Sequence, residues 1–202
     1  MGEWTIDIFE NGTYTLRVDV SSGQPQFPIA REFRPAMANL DKAWYEATRR
    51  FGPYNYHPDR CEDWNLESGG DADLGEPLVA PMTALVIGAY DWGGRVGKIV
   101  QLLALSASGE LIVWSGWHLQ EITATVGNVV QVGDPIGTIG NAGGVYAAHL
   151  HEQICIVNRW GIPAPNTFAA DSRYDWRQPS RFYVEHGFPQ AEMDRLTRYD
   201  GM

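Results

Sequence analysis

The chain has 202 residues, 44% of them hydrophobic and 20% charged, a globular composition that suits one domain with extensions or two small domains. Its net charge of −10 and pI near 4.8, with no basic patch, exclude charge-driven binding to nucleic acid, to an anionic membrane or to an anionic wall polymer. No apolar run reaches the length of a membrane span. The opening "MGEWTIDIFENG" shows no basic region followed by an apolar one, so no signal peptide is visible, and cytoplasmic and leader-processed origins both stay open.

Residues 4–20, "WTIDIFENGTYTLRVDV", predict a hairpin around Asn11-Gly12. Trp4, Ile6 and Ile8 alternate on one strand, and Leu16, Val18 and Val20 on the other. Keeping these on one face needs an odd loop, expected as Asn11-Gly12-Thr13, with Ile8 opposite Leu16 and Ile6 opposite Val18. Residues 21–35 form a Pro- and Gly-containing connection. Over 36–50, Leu40, Ala43, Trp44 and Ala47 fall at helical spacing, which predicts a short helix ended by Gly52-Pro53.

From about 76 to 157, short apolar runs alternate with Gly, Asp and Asn, the pattern of an all-β sandwich or barrel. Two pieces echo each other. "GEPLVAPMTALVIGA" and "GNVVQVGDPIGTIGN" each carry an apolar pair, a turn and a second apolar pair. The tail, 158–202, is rich in Pro, Asp, Arg and aromatics; it is expected to wrap the core and end in a short helix near 190–198. The organisation expected is a 1–54 extension of hairpin plus helix, a 55–157 β domain and a packed 158–202 tail.

Five histidines occur: His57, His118, His149, His151 and His186. In "AHLHE", His149 and His151 stand two apart on a strand and therefore share a face. That suits a metal ligand beside a second imidazole that does chemistry; it equally suits two histidines on a wet surface. His57 opens "HPDRCEDWN", with Asp63 six residues on, and His118 ends a strand in "VWSGWHLQ". Imidazole and carboxylate are ligands zinc accepts, and a catalytic zinc keeps three protein ligands and one open position. No His-Glu-x-x-His motif is present, so helix-borne zinc chemistry is not indicated.

The ordered set His57…Asp63, "GWHLQ" at His118 and "HLH" at 149–151, with "GEPLVAP", "VGNVVQVGDPIGTIGNAGG" and "AAHLHEQI" in sequence, resembles the lysostaphin-type zinc metallopeptidases. The resemblance covers roughly residues 55–157. It implies a duplicated hybrid motif of β-strands and hydrolysis of amide bonds in peptidoglycan peptides or cross-bridges. It also implies zinc held by His57, Asp63 and His151. His149 would be the unligated catalytic histidine and His118 its partner, the two positioning water and steadying the oxyanion. An extracellular or periplasmic location is implied in the same way.

One departure matters. The family pattern has three residues between the first His and the Asp; here there are five, "PDRCE". The loop bulges and still delivers His57, or Asp59 ligates instead, or the site is degenerate and metal-free. A two-residue insertion keeps strand parity, which makes the first the leading expectation. The alternative function is a catalytically inactive binding, regulatory or phage-structural protein on the same fold. A lipoyl- or biotinyl-type carrier is disfavoured, because neither Lys42 nor Lys98 sits at a hairpin tip motif.

The remaining candidates have structural readings beside functional ones. His186 in "VEHGFPQ" reads as a structural or solvated loop residue. Trp64, Trp92, Trp114, Trp117 and Trp160 are either packed or sugar and peptide platforms. Tyr54 and Tyr56 either pack or donate a hydrogen bond near His57. Cys61 shares the parity of Asp63, and Cys155 that of His151, so a bridge between them is conceivable if the two strands meet.

Overall fold

The computed structural model describes residues 3–8, 14–19, 27–42, 44–46, 61–158, 161–163 and 173–197. Its strands, in chain order, are β1 (Glu3–Ile8), β2 (Tyr14–Asp19), β3 (Ile29–Ala30), β4 (Trp44–Glu46), β5 (Cys61–Leu66), β6 (Pro77–Val79) and β7 (Ala84–Asp91). They continue with β8 (Lys98–Ser106), β9 (Leu111–Leu119), β10 (Glu121–Ile122), β11 (Val129–Val130), β12 (Pro135–Thr138), β13 (Leu150–Ile156) and β14 (Asp175–Arg177). Two helices follow, α1 (Pro179–Glu185) and α2 (Gln190–Thr197). Among the described residues the fold is mainly β, with almost wholly antiparallel pairing and no closed barrel. The parallel pair is β3 with β8.

The main sheet runs in the order β11-β7-β8-β9-β13-β5-β4, with β3 added to β8 and β14 to β13. Its central strands bury both faces, and alternation sorts their residues. Leu150, Glu152 and Ile154 of β13 point to one side with Trp114 and Trp64; His151, Gln153 and Cys155 point to the other. The first side carries the larger core, where Trp64, Trp114, Leu102 and Ile154 meet Leu78, Met82, Phe182, Tyr183, Met193 and Leu196. The second side carries a smaller apolar group of Ile87, Leu103, Val113, Cys155 and Trp176, and then the histidines.

The repeated sequence pieces are interleaved. The first supplies β6 and β7, the second β11 and β12, and each strand pairs across the repeat: β6 with β12, β7 with β11. The connecting turns lock together as well. The Ala80 N–H donates to the Asp134 carbonyl at 2.8 Å, and the Gly133 N–H to the Ala80 carbonyl at 2.9 Å. A small second sheet, β10-β12-β6, results.

Two expectations need correction. Among the described residues of 36–50 the expected helix does not form: Trp44–Glu46 is strand β4, paired with β5 so that Trp44 opposes Leu66. The Asn39 side chain accepts the Asp41 N–H at 3.0 Å, a local turn that competes with a helix. Trp44 is then buried at the sheet edge, its indole N–H donating to the Asn39 carbonyl at 2.8 Å. The hairpin forms with a register two residues away from that expected: Trp4 opposes Val18, Ile6 opposes Leu16 and Ile8 opposes Tyr14. A shift of two keeps every side chain on its face, so the apolar alternation could not distinguish the registers. The loop expected at Asn11-Gly12-Thr13 lies outside the described residues.

The tail ends in α2 at Gln190–Thr197, close to the helix expected there. Strand β14 and helix α1 were not legible beforehand. Helix α1 starts with Pro179, whose fixed φ and missing N–H suit a first turn. Cys61 and Cys155 are buried and unbridged. Cys61 opposes Gln153 and Cys155 opposes Trp176, so the two cysteines sit one same-face step out of register. Such diagonal neighbours stand about 7–8 Å apart, beyond the usual reach of a disulfide.

Candidate active site

The site begins with strand pairing. Asp63 of β5 lies directly opposite His151 of β13, and His151 lies opposite Trp117 of β9 on its other flank. The three side chains form one row on the same face. His151 Nδ1 stands 2.9 Å from Asp63 Oδ1, and the Trp117 indole stacks on the His151 ring with centroids 4.5 Å apart. Trp117 thus walls the Asp63–His151 pair from within the sheet and is 1% exposed. Trp64 and Trp114 are equally buried, which removes all three as exposed sugar platforms; Trp92 is exposed, and Trp160 lies outside the described residues.

His118 follows Trp117 where β9 breaks register with β8, between Lys98 and Val100. Its φ of 67° is left-handed, a strained setting for a residue with a Cβ. The reversal turns the imidazole toward its neighbours: the His118 ring centroid is 4.7 Å from that of His149 and 5.7 Å from that of His151. Gly140 holds this corner. It bridges to His149, and a Cβ on it would collide with the His118 carbonyl and the Gln120 N–H. Only a residue without a side chain lets the 139–149 arm lie this close to the end of β9.

Both outer histidines have one ring nitrogen occupied by backbone. His118 Nδ1 donates to the Val96 carbonyl at 3.1 Å, and His149 Nδ1 to the Ala147 carbonyl at 2.9 Å. A carbonyl only accepts, so each Nδ1 carries a hydrogen and each neutral ring keeps its basic nitrogen at Nε2. His149 Nε2 lies 3.9 Å from Asp63 Oδ1. Burial, then the neighbouring His149 and His151, push the His118 imidazole down to a pKa of about 2; it is neutral at any physiological pH.

Three groups near the site were not singled out beforehand. Tyr146 packs against His118 and His149, with centroids 5.0 and 5.7 Å away. Its position three residues before His149 in "VYAAHLH" was the available signal. Asp71 accepts the Ala148 N–H at 2.8 Å and so fixes the approach to His149. Asp73 is 2% exposed, and its Oδ2 has no hydrogen-bond partner. Burial lifts its carboxyl to a pKa of about 6, against the opposing pull of a backbone hydrogen bond and of His149. In "GGDADLGEP" both aspartates read as turn residues, and nothing in the pattern separates them from solvated ones.

Asp63, His118, His149 and His151 therefore gather at one place. His57, with its alternative Asp59, lies outside the described residues, as do Tyr54 and Tyr56. His186 is remote: it caps α1 and stacks on Phe182 at 3.9 Å. Imidazole nitrogen with carboxylate oxygen is a donor pair zinc takes. Two such ligands on a tetrahedral ion stand about 3.4 Å apart, and the 2.9 Å pair found here is close to that. Among the described residues no group of three or more His, Cys, Asp or Glu completes a cation site. A cavity of about 330 Å³ opens near the end of β9 between Asp91, Gly97, Lys98, Leu119, Gln120 and Ala142; none of His118, His149 and His151 is in its lining.

No family model matches the sequence and no curated protein matches it. Solved structures do. A solution structure of lysostaphin superposes with a TM-score of 0.53 at 19% identity, over 84% of this chain and 61% of that one. A structure of the antimicrobial peptidase lysostaphin from Staphylococcus simulans gives 0.52 at 20% identity, over 82% and 59%. The chain spans about three fifths of the length of these two structures. Together with the interleaved strand repeats, these likenesses show that the chain has the lysostaphin-type peptidase fold.

Proposed function

We propose that the protein is a zinc-dependent endopeptidase acting on amide bonds of peptidoglycan peptides or cross-bridges. The observation that carries this reading is the single cluster of Asp63, His151, His149 and His118, in which two imidazoles have Nδ1 tied to backbone and Nε2 left available. The similarity to lysostaphin, an antimicrobial peptidase, supports the reaction class. Asp63 and His151 would hold the zinc with His57 as third ligand, or Asp59 in its place. When bound, zinc supplies Lewis acidity to the attacking water and to the scissile carbonyl.

The residues of this chain do the rest. For Asp63 and His151 to hold a cation together, the hydrogen that lies between them must leave Nδ1, and a neutral imidazole can carry it at Nε2 instead. His149 Nε2 takes a proton from the attacking water and returns it to the leaving amine. His118, kept neutral by burial, orients that water by accepting its hydrogen at Nε2, and Tyr146 shields the pair from bulk solvent.

The test is metal content together with hydrolysis. The purified protein should hold about one zinc; His151→Ala should lose it, and His149→Ala should keep it while losing release of peptides from purified wall fragments. Equal zinc in wild type and His151→Ala removes the ligand assignment. A zinc-loaded wild type inert on every wall fragment favours the non-catalytic binding protein on this fold.

A further inference from the structure

Behind the Asp63–His151 pair lies a second pair that the proposed reaction does not use. One residue earlier on β5 and one later on β13, Glu62 and Glu152 oppose each other directly, on the far face of the same two strands. Both are buried, at 1% and 0% exposure. Two carboxylates in this relation repel unless donors hold them. The donors are three from the C-terminal segment to Glu62, and one from that segment plus two indoles to Glu152.

Glu62 accepts the Ser180 N–H at 2.7 Å, the Ser180 hydroxyl at 2.5 Å and the Gln178 side-chain N–H at 2.8 Å. Glu152 accepts the indole N–H of Trp64 at 2.8 Å and of Trp114 at 2.6 Å, together with the Tyr183 hydroxyl. Trp64 and Trp114 come from the strands flanking β13, so Glu152 ties three strands and α1 to one carboxylate. Strand β14 then takes over the same edge of β13 beyond the point where β5 stops pairing. The C-terminal segment therefore grips both strands of the ligand row from behind.

We propose that Gln178, Ser180 and Tyr183 are positioning residues: their donors hold β5 and β13 at the separation that sets Asp63 against His151, and through it metal affinity. This rests on the reading that Asp63 and His151 hold zinc. Groups hydrogen-bonded directly to a metal's ligands change its affinity about 10–100-fold when lost; Gln178, Ser180 and Tyr183 act one step further back, so the lower end of that range is the effect expected.

The experiment compares zinc dissociation constants, measured on the full chain by competition with a chromophoric chelator, for wild type, Ser180→Ala/Tyr183→Phe and Leu196→Ala. Leu196 is buried in the same tail but touches neither glutamate through a hydrogen bond, so it controls for simple loss of stability. The double variant should bind zinc about tenfold more weakly at a temperature where all three are folded, Leu196→Ala should bind as wild type, and Ser180→Thr should restore its part. Should the double variant fail to fold, Gln178→Ala serves, with a smaller loss in the same direction. Amide exchange at residues 63 and 151 is read in parallel without metal, and should quicken in the double variant beyond the control. If wild type binds no zinc, the functional reading falls, and the exchange data alone decide the positioning role. Affinity and exchange indistinguishable from the Leu196→Ala control overturn it.

Discussion

The two faces of the β5–β13 pair hold their ionisable groups in different ways. On the front, Asp63 and a buried His151 meet one hydrogen bond apart, while Asp63 and the neighbouring His149 keep side-chain exposures of 14% and 13%. On the back, Glu62 and Glu152 are sealed under the C-terminal helices and saturated with donors. A one-residue step along a strand turns a side chain from one face to the other. The same two strands thus carry partly exposed ionisable groups on one side and ionisable groups used as mortar on the other.

The largest effect should come from breaking the back. Glu152→Ala strands two indole N–H groups and a tyrosine hydroxyl in the core, and should cost about 4 kcal/mol in denaturant unfolding. A loss below about 1 kcal/mol would mean the far face is no better held than the near one. Burial also lifts the Glu152 carboxyl to a pKa of about 7, so its contribution is complete in acid and declines as pH rises from 4.5 through 7.

Asp73 tests the front in the same way. Its folded pKa of about 6 lies above the ordinary 3.8, so wild type loses stability across that interval as pH rises. Asp73→Asn cannot titrate. It should gain about 3 kcal/mol on wild type between pH 3.5 and pH 7, measured as the difference of two urea midpoints. A constant difference over that range would show that Asp73 is ionised and solvated. Gly140→Ala is the smallest of the three in energy, about 2 kcal/mol. Yet it should part His118 from His149, and it sharpens the comparison if peptide hydrolysis vanishes while the far-face hydrogen bonds, read by tyrosine and indole resonances, persist.

Much of this arrangement was legible. The strand runs from 76 to 157 carry alternation and turn residues, so their elements and the repeat could be read directly. The "HLH" parity alone places His149 and His151 on one face, and the family resemblance, not the residues by themselves, implies Asp63 and His118 beside them. What alternation cannot show is which strands become neighbours, and so the Glu62–Glu152 pair was invisible. Each glutamate alone looks like an exposed charge. Trp44 shows the opposite failure: four apolar residues at helical spacing were too few to outweigh a side-chain turn at Asn39 and a vacant sheet edge. The hairpin register failed by two because parity is all that a hydrophobic pattern specifies.

The crossed pairing of β6 with β12 has a consequence for how the chain is made. Leu78 reaches its partner strand only after about sixty further residues have been added. At a synthesis rate of about 5–20 residues per second, that is a wait of about 3–12 seconds. Through this interval the apolar edge around Leu78 is without its mate, and the nascent protein is open to capture by chaperones or by other unfinished chains.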